Sequence, residues 1–257
     1  MIDIHSHIMP EIDDGARTLE EAIEMAAIAA EDGIQQMVST PHMFNGISHD
    51  PEPAEILDRV ARLQEAIGDK LKILPGNEVH ISHEIVGYAR NNRFTKINQK
   101  NYMLVEFPQL SIPLRSDELL WKLRESGVNP ILVHPERNAE IQRRPPIVAD
   151  LIQRGVFIQI TAMSVTGEFG TAAKACADTL LKHNCVHFIA TDAHRPVKRR
   201  PILSHGRDAA AAIIGEARAR RLVVDNPLAV ITGEPILTDP PLPFDSPRPS
   251  ILSRLFK

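Results

Sequence analysis

The chain has 257 residues, 43% hydrophobic and 24% charged, enough to bury a full core, so disorder is excluded over most of its length. Its 29 basic and 33 acidic residues give a formal charge of -4, which argues against nonspecific nucleic-acid binding as its main work. Two cysteines, Cys176 and Cys185, offer neither a disulfide framework nor a Cys-rich zinc site, and no apolar run approaches the roughly 18 residues of a membrane span. The opening MIDIHSHIMP is too short and too polar for a signal peptide, so a soluble, cytoplasmic protein without stable membrane insertion is expected.

Short β-type runs alternate with longer helical ones. Strands are expected at residues 2–5, 36–40, 71–78, 102–107, 130–134, 156–161 and 186–192. Most are continuous runs rich in Ile, Val and Phe, the pattern of strands buried on both faces. Helices are expected between and after them at residues 19–31, 53–67, 83–91, 116–126, 146–154, 171–183 and 204–221. In the first, Thr18 is a cap, Glu21 completes a capping box, and Ala22, Ile23, Ala26 and Ala30 form the apolar stripe. Strands each followed by a helix imply a parallel α/β sheet with right-handed crossovers. Polar residues recur at nearly every strand end, which favours a closed or nearly closed barrel over an open sheet. The barrel is assigned to residues 1–237. Residues 238–257 read as a Pro-rich tail on the surface or disordered, ending in a small apolar-basic patch at 251–257.

The chemistry lies in those polar strand ends. In order they are His5-Ser6-His7, Thr40-Pro41-His42, Gly76-Asn77-Glu78, Glu106, His134-Pro135-Glu136-Arg137, Thr161, and Thr191-Asp192-Ala193-His194. In a parallel barrel they converge on one face, where such folds place their active sites. Strand period is two, so His5 and His7 point to one side. First and last strands are neighbours in a closed barrel, which brings Asp192 and His194 to the same place. With Asp14, from Asp13-Asp14-Gly15, the candidate ligands are His5, His7, Asp14, His42, Glu78, Glu106, His134, Asp192 and His194. No cysteine belongs to the set, and mixed imidazole and carboxylate ligation suits Mn²⁺, Fe²⁺ or catalytic Zn²⁺. Nine ligands exceed one ion and fit two or three with a bridging carboxylate. Such clusters bring hydroxide to neutral pH and clamp attacking and leaving oxygens. Three divalent ions against four carboxylates leave a positive balance that suits a phosphate dianion. His80 and His83 read as rim or solvent groups. His49, His183, His187 and His205 read as structural or exposed, and Glu136 and Asn138 as supporting partners.

The segments MIDIHSHIMPEIDDGARTLEEAIEMA, VSTPHMFNG, LPGNEV, LVEFP, ILVHPERNAEI, IQITAMSVTGEFG and TDAH resemble the PHP-domain phosphatases. More narrowly, they resemble the bacterial protein-tyrosine phosphatases associated with capsule and exopolysaccharide synthesis. The likeness runs from Met1 to about Ile236. It implies a distorted (β/α)7 TIM-like barrel of the PHP fold and three metal ions, manganese first with Fe²⁺ or Zn²⁺ as alternatives. It also implies the nine ligands above, Glu78 bridging two ions, and Asp14 rather than Asp13. The family holds substrate phosphate with arginines. Arg137 of HPER takes the first role, and the second lies in an Arg-Pro pair after TDAH. The spacing departs here, in Arg195-Pro196-Val197-Lys198-Arg199-Arg200-Pro201. Arg200 is preferred because Pro201 follows it, with Arg199 the alternative.

The implied reaction is phosphotyrosine hydrolysis by a metal-activated hydroxide attacking phosphorus in line, with metals and arginine neutralising the equatorial oxygens. No Cys-x5-Arg loop exists: Lys182 and Thr191 stand six places after the two cysteines. The implied partner is a bacterial tyrosine kinase that regulates polysaccharide synthesis. Three alternatives stay open. One is a histidinol-phosphatase-like small-molecule phosphomonoesterase. A second is C–N hydrolysis by an amidohydrolase-like barrel, which commonly uses a strand-4 lysine absent from residues 102–107. The third is a non-catalytic, metal-stabilised scaffold that binds a kinase. Nothing in the sequence sets the oligomeric state.

Overall fold

The computed structural model describes residues 1–46 and 50–244. His49, residues 245–250 of the Pro-rich segment and the apolar-basic patch at 251–257 lie outside the described residues. The strands are β1 (Ile2–Ser6), β2 (Gln36–Ser39), β3 (His42–Met43), β4 (Lys72–Pro75), β5 (Glu78–His80), β6 (Tyr102–Glu106), β7 (Asn129–Val133), β8 (Phe157–Thr161) and β9 (Phe188–Ala190). They form two parallel sheets, β1-β2-β4 and β3-β5-β6-β7-β8-β9.

These segments amount to the seven expected staves, because the second and third are each broken in two. The breaks fall at Thr40-Pro41 and at Gly76-Asn77. Pro41 has no N–H for a ladder. Gly76 lies so close to the neighbouring stave that a Cβ there would sit 2.8 Å from Val38 Cγ1. Beyond the breaks pairing resumes as β3 against β5, with His42 opposite Glu78. The ring closes between first and last staves. Asp192 N–H donates to the His5 carbonyl at 2.9 Å, and His7 N–H to the Ala193 carbonyl at 2.8 Å. The fold is a parallel α/β barrel, as expected.

Two apolar clusters hold it. Ile2, Ile4, Val38, Leu74, Leu104, Ile131, Val133, Phe188 and Ala190 come from staves all round the ring and meet in one cluster, so they fill its interior. The alternate residues, among them Met37, Ile73, Met103, Val105, Leu132, Ile158, Ile160 and Ile189, pack outward against the helices. Strict alternation would send His5 to the side opposite Ile2 and Ile4. The β1–β2 register slips between Asp3 and Ser6, a bulge that lets Ile4 and His5 both serve the inside of the barrel.

The helices are α1 (Leu19–Glu31), α2 (Pro53–Ile67), α3 (Ile85–Arg90), α4 (Ser116–Glu125), α5 (Ala139–Arg143), α6 (Pro146–Gln153), α7 (Ala162–Thr166), α8 (Thr171–Lys182), α9 (Ser204–Ile214), α10 (Glu216–Arg220) and α11 (Asn226–Thr232). Three expectations need correction. The buried stripe of α1 is Ala22, Met25, Ala26 and Ala29, and Ile23 is 38% exposed. Thr18 does cap Glu21 N–H, but the Glu21 carboxylate returns to the N–H of Arg17 at 2.8 Å rather than to Thr18. The single helix at 204–221 is split by Gly215, whose φ of 84° ends α9, and α10 then runs into a π-helical turn at Arg221–Asp225. Residues 238–244 lie along the end of α8. Leu242 N–H donates to the His183 carbonyl at 2.8 Å, and Phe244 stacks on the His183 ring at 4.1 Å.

His187 is structural, as expected. It is buried, its Nδ1 accepts the Ile158 N–H at 3.0 Å, and its ring meets Phe157 edge-on at 5.3 Å. Burial pulls its pKa down to about 4. The unfolded chain therefore takes up a proton on this residue below its ordinary value of 6.5, while the fold refuses it until about 4. Stability linked to His187 is complete above pH 6.5 and declines as pH falls towards 4. Urea unfolding at pH 7 and pH 4.5 is expected to show His187→Gln losing about 2 kcal/mol less than the parent chain on acidification. Equal losses would contradict the assignment.

Candidate metal centre

All nine expected ligand residues come together at the C-terminal mouth of the barrel. Their ligand atoms fall into four groups, each with mutual distances within 4.8 Å: His7, Asp14, His42 and His194; His5, His134 and Asp192; His5, His7 and Glu78; and His42, Glu78 and Glu106. The four groups share members and between them use every one of the nine.

Glu78 is at the centre. Its Oε1 accepts from His134 Nε2 at 2.8 Å. Its Oε2 lies 3.4 Å from His5 Nε2, 3.3 Å from His7 Nε2 and 3.0 Å from His42 Nδ1. Neither that oxygen nor His42 Nδ1 has a hydrogen-bond partner, and both are buried. The Nε2 atoms of His5 and His7 face one another at 3.3 Å, with Asp192 Oδ1 at 3.5 and 3.4 Å from them. Unpaired carboxylate and imidazole atoms converging on one buried point fit divalent cations. The donor set is hard and borderline, without sulfur.

The electrostatics carry the same demand for positive charge. Burial works to raise the Glu78 carboxyl, but the charges of His5 and His42 outweigh it and hold Glu78 well below the usual carboxylate range. Burial opposes protonation of His42, yet chiefly Glu78 lifts it to about 10. His194 goes the other way, down to about 4, through burial and then the charge of His7. Its ring is 4.0 Å from that of His7.

Two rings are oriented from behind by different groups. His7 Nδ1 bonds Asp13 Oδ2 at 2.7 Å, and Asp13 also accepts the N–H groups of Gly15 and His42. His5 Nδ1 bonds the Gln159 amide oxygen at 2.8 Å. Each contact leaves Nε2 turned inward. The neighbouring acidic residues thus divide the work. Asp13 is buried and positions His7, while Asp14, 66% exposed, comes within 3.4 Å of His194 and 3.5 Å of His42.

Sequence reasoning missed Asp3, Asp13 in this role, Gln159 and Phe169. Asp3 is fully buried and accepts from the N–H groups of Thr191 and His5 and from the Thr191 hydroxyl. Burial pushes it up to about 6 against those bonds. The signal was a carboxylate amid the apolar opening of a strand.

Two of the candidate arginines reach the cluster. Arg137 donates to Asp192 Oδ2 at 2.7 Å, and Arg199 donates to the same oxygen and contacts His194 Nε2 at 3.0 Å. Arg200 is exposed and, together with Arg199, Met163, Ile202 and His205, lines a cavity of about 190 Å³. The reason is backbone. Arg199 has φ of 58°, a left-handed turn that sends it inward and carries Arg200 out.

The other polar residues differ in place. His80 sits on the rim, 3.5 Å from Glu106, and His83 and His205 are exposed. Glu136 is buried and accepts from Thr161 N–H at 3.0 Å and its hydroxyl at 2.9 Å, behind the mouth. Asn138 caps α5 through Glu140 N–H at 2.9 Å. Neither thiol is a nucleophile: both are buried, which pushes each up to about 12.

Residues 1–232 match the family described as capsular polysaccharide synthesis, CpsB/CapC. The chain belongs to that family. Among its relatives, the tyrosine-protein phosphatase YwqE of Bacillus subtilis is 34% identical over 248 residues, 95% of this chain and 96% of that one. A putative tyrosine-protein phosphatase CapC of Staphylococcus aureus is 35% identical over 79% of this chain and 80% of its own. A solved structure, reported with YwqE of B. subtilis and CpsB of Streptococcus pneumoniae as unique metal-dependent tyrosine phosphatases, superposes with TM-score 0.91 at 32% identity. That match covers 96% of this chain and 100% of the other.

If Asp13 sets the His7 ring, Asp13→Ala is expected to weaken divalent-cation affinity about 10- to 100-fold. Calorimetric titration of chelated protein with MnCl₂ and with ZnCl₂ measures it. Affinity unchanged for both ions would remove Asp13 from the site.

Proposed function

We propose that this chain, like the relatives named tyrosine-protein phosphatases, hydrolyses phosphotyrosine in proteins, with divalent metal ions held by the nine-residue cluster. The observation that supports it most is the pair of guanidiniums, Arg137 and Arg199, meeting on Asp192 at the edge of that cluster. His7, Asp14, His42 and His194 would hold one ion; His5, His134 and Asp192 a second; His42, Glu78 and Glu106 a third, with Glu78 between. Manganese is the first choice for this donor set, with Fe²⁺ and Zn²⁺ the alternatives. Such ions supply Lewis acidity and make hydroxide available at neutral pH.

The chain's own residues do the rest. Arg137 and Arg199 present forked donors to phosphate oxygens and neutralise charge that grows in the transition state. Asp13 and Gln159 keep two rings turned inward, and the walls around Glu78 and His5 exclude water. Tyrosine's phenol, with a pKa of about 10, leaves with less acid assistance than a serine alkoxide. The barrel of residues 1–237 carries the activity, without residues 238–257. The physiological partner in this reading is a cytoplasmic-side bacterial tyrosine kinase that regulates capsule or exopolysaccharide synthesis.

Full-length protein with Mn²⁺ is expected to hydrolyse p-nitrophenyl phosphate and phosphotyrosine peptides, and EDTA to stop both. Turnover of histidinol phosphate with none of phosphotyrosine would replace this reading with the small-molecule one. Arg137→Ala and Arg199→Ala should each raise KM for p-nitrophenyl phosphate by about tenfold or more with metal content retained, and Arg199→Ala should cost more than Arg200→Ala. The opposite order would return the clamp to Arg200.

A further inference from the structure

The link between α7 and α8 carries a half-buried phenyl ring, Phe169. Gly167, with φ of 95°, ends α7, and Gly170, with φ of 92°, precedes α8. The backbone thus passes twice through the left-handed region within the sequence Gly167-Glu168-Phe169-Gly170, which glycine alone permits without strain. Gly170 N–H donates to the Gly167 carbonyl at 3.0 Å and Phe169 N–H to the Met163 carbonyl at 3.3 Å. Thr166 Oγ1 holds the Glu168 carboxylate at 2.8 Å. A turn tied at three points places Phe169 half-buried, yet the ring joins neither hydrophobic cluster of the described residues. Its recorded partners are two cations. Arg137 Cζ lies 4.6 Å from the ring centroid and Arg199 Cζ 5.6 Å.

Those guanidiniums follow the two strands that flank β8, one after β7 and one after β9, and share a single oxygen of Asp192. Two cations brought so close repel each other. An aromatic face carries negative potential and attracts both, where an alkyl side chain of similar bulk would only fill the space. Arginine has many rotamers to lose. Holding both forks in place beforehand removes that loss from anion binding.

We propose that Phe169 is a positioning residue for the anion clamp: its face holds Arg137 and Arg199 together so that a phosphate meets two preset forks. The proposal rests on the reading above that this pair grips the substrate phosphate. Phe169 touches neither metal ligand atoms nor reacting atoms in this account; it acts through the arginines.

The test uses the Mn²⁺-loaded full chain, with inorganic phosphate and p-nitrophenyl phosphate as probes. Phe169→Leu is expected to weaken phosphate binding, read by calorimetry, by about tenfold. KM should rise in parallel, with kcat within about threefold and metal content and Tm unchanged. Phe169→Tyr, which keeps the ring, should restore affinity. Wild-type phosphate affinity in the leucine variant would overturn the proposal. So would a tyrosine variant as weak as leucine, since the ring face would then not be the agent. Should the leucine variant fail to fold, Phe169→Met is read in the same way. Calorimetry with phosphate does not depend on turnover, so a chain that binds phosphate through Phe169 but hydrolyses no phosphotyrosine would sink the substrate reading and spare this one.

Discussion

A carboxylate oxygen of Glu78, sealed from water and surrounded by three imidazole nitrogens without a hydrogen bond to any, is the constraint on which this mouth depends. Buried charge is tolerated only when opposite charge meets it. Here the imidazoles meet part of that need, His42 strongly so. Cations between the same atoms would meet it more fully. The site therefore reads as a set of lone pairs arranged for metal, with protons as the substitutes in its absence.

The barrel delivers this arrangement through departures from regular structure at its rim. A bulge in β1 turns His5 inward beside Ile4, and breaks at Pro41 and Gly76 set His42 against Glu78. His134, Asp192 and Arg199 all have positive φ, at 35°, 52° and 58°. Non-glycine residues in that region store strain, which the well-packed ring below can bear. The interior cluster and the outer cluster supply that rigidity. Asp3 ties β1 to the Thr191 turn directly behind the histidines. Strain, bulge and brace lie within a few residues of the ligand atoms, so stability is spent where the side chains must be aimed.

The sequence carried more of this site than of its geometry. His5 and His7 were legible as a pair on one side of their strand, though the bulge that turns His5 inward was not, and Asp192 and His194 were legible because a closed ring joins its ends. Strand breaks were not, since nothing in the strands expected at 36–40 and 71–78 shows that pairing stops at Pro41 and at the close contact of Gly76 and then resumes. The α1 stripe was one residue out of phase because Ile23 is the larger hydrophobe and Met25 and Ala29 the buried ones. Arg200 was favoured by its proline, whereas it is Arg199, a left-handed residue, that contacts Asp192 and His194. Asp3, Gln159 and Phe169 lie inside segments that carry the family resemblance, but nothing in those segments marks their roles. They matter through what they touch, and contacts between residues as distant as His5 and Gln159 cannot be read from one sequence.

Crystals grown with Mn²⁺, measured for anomalous scattering at the manganese edge, test the central claim most directly. The account predicts strong peaks among the side chains of His5, His7, His42, Glu78 and Asp192, with Glu78 touching two of them. An active, manganese-dependent crystal form with no peak there, or with its peaks elsewhere on the chain, would contradict it.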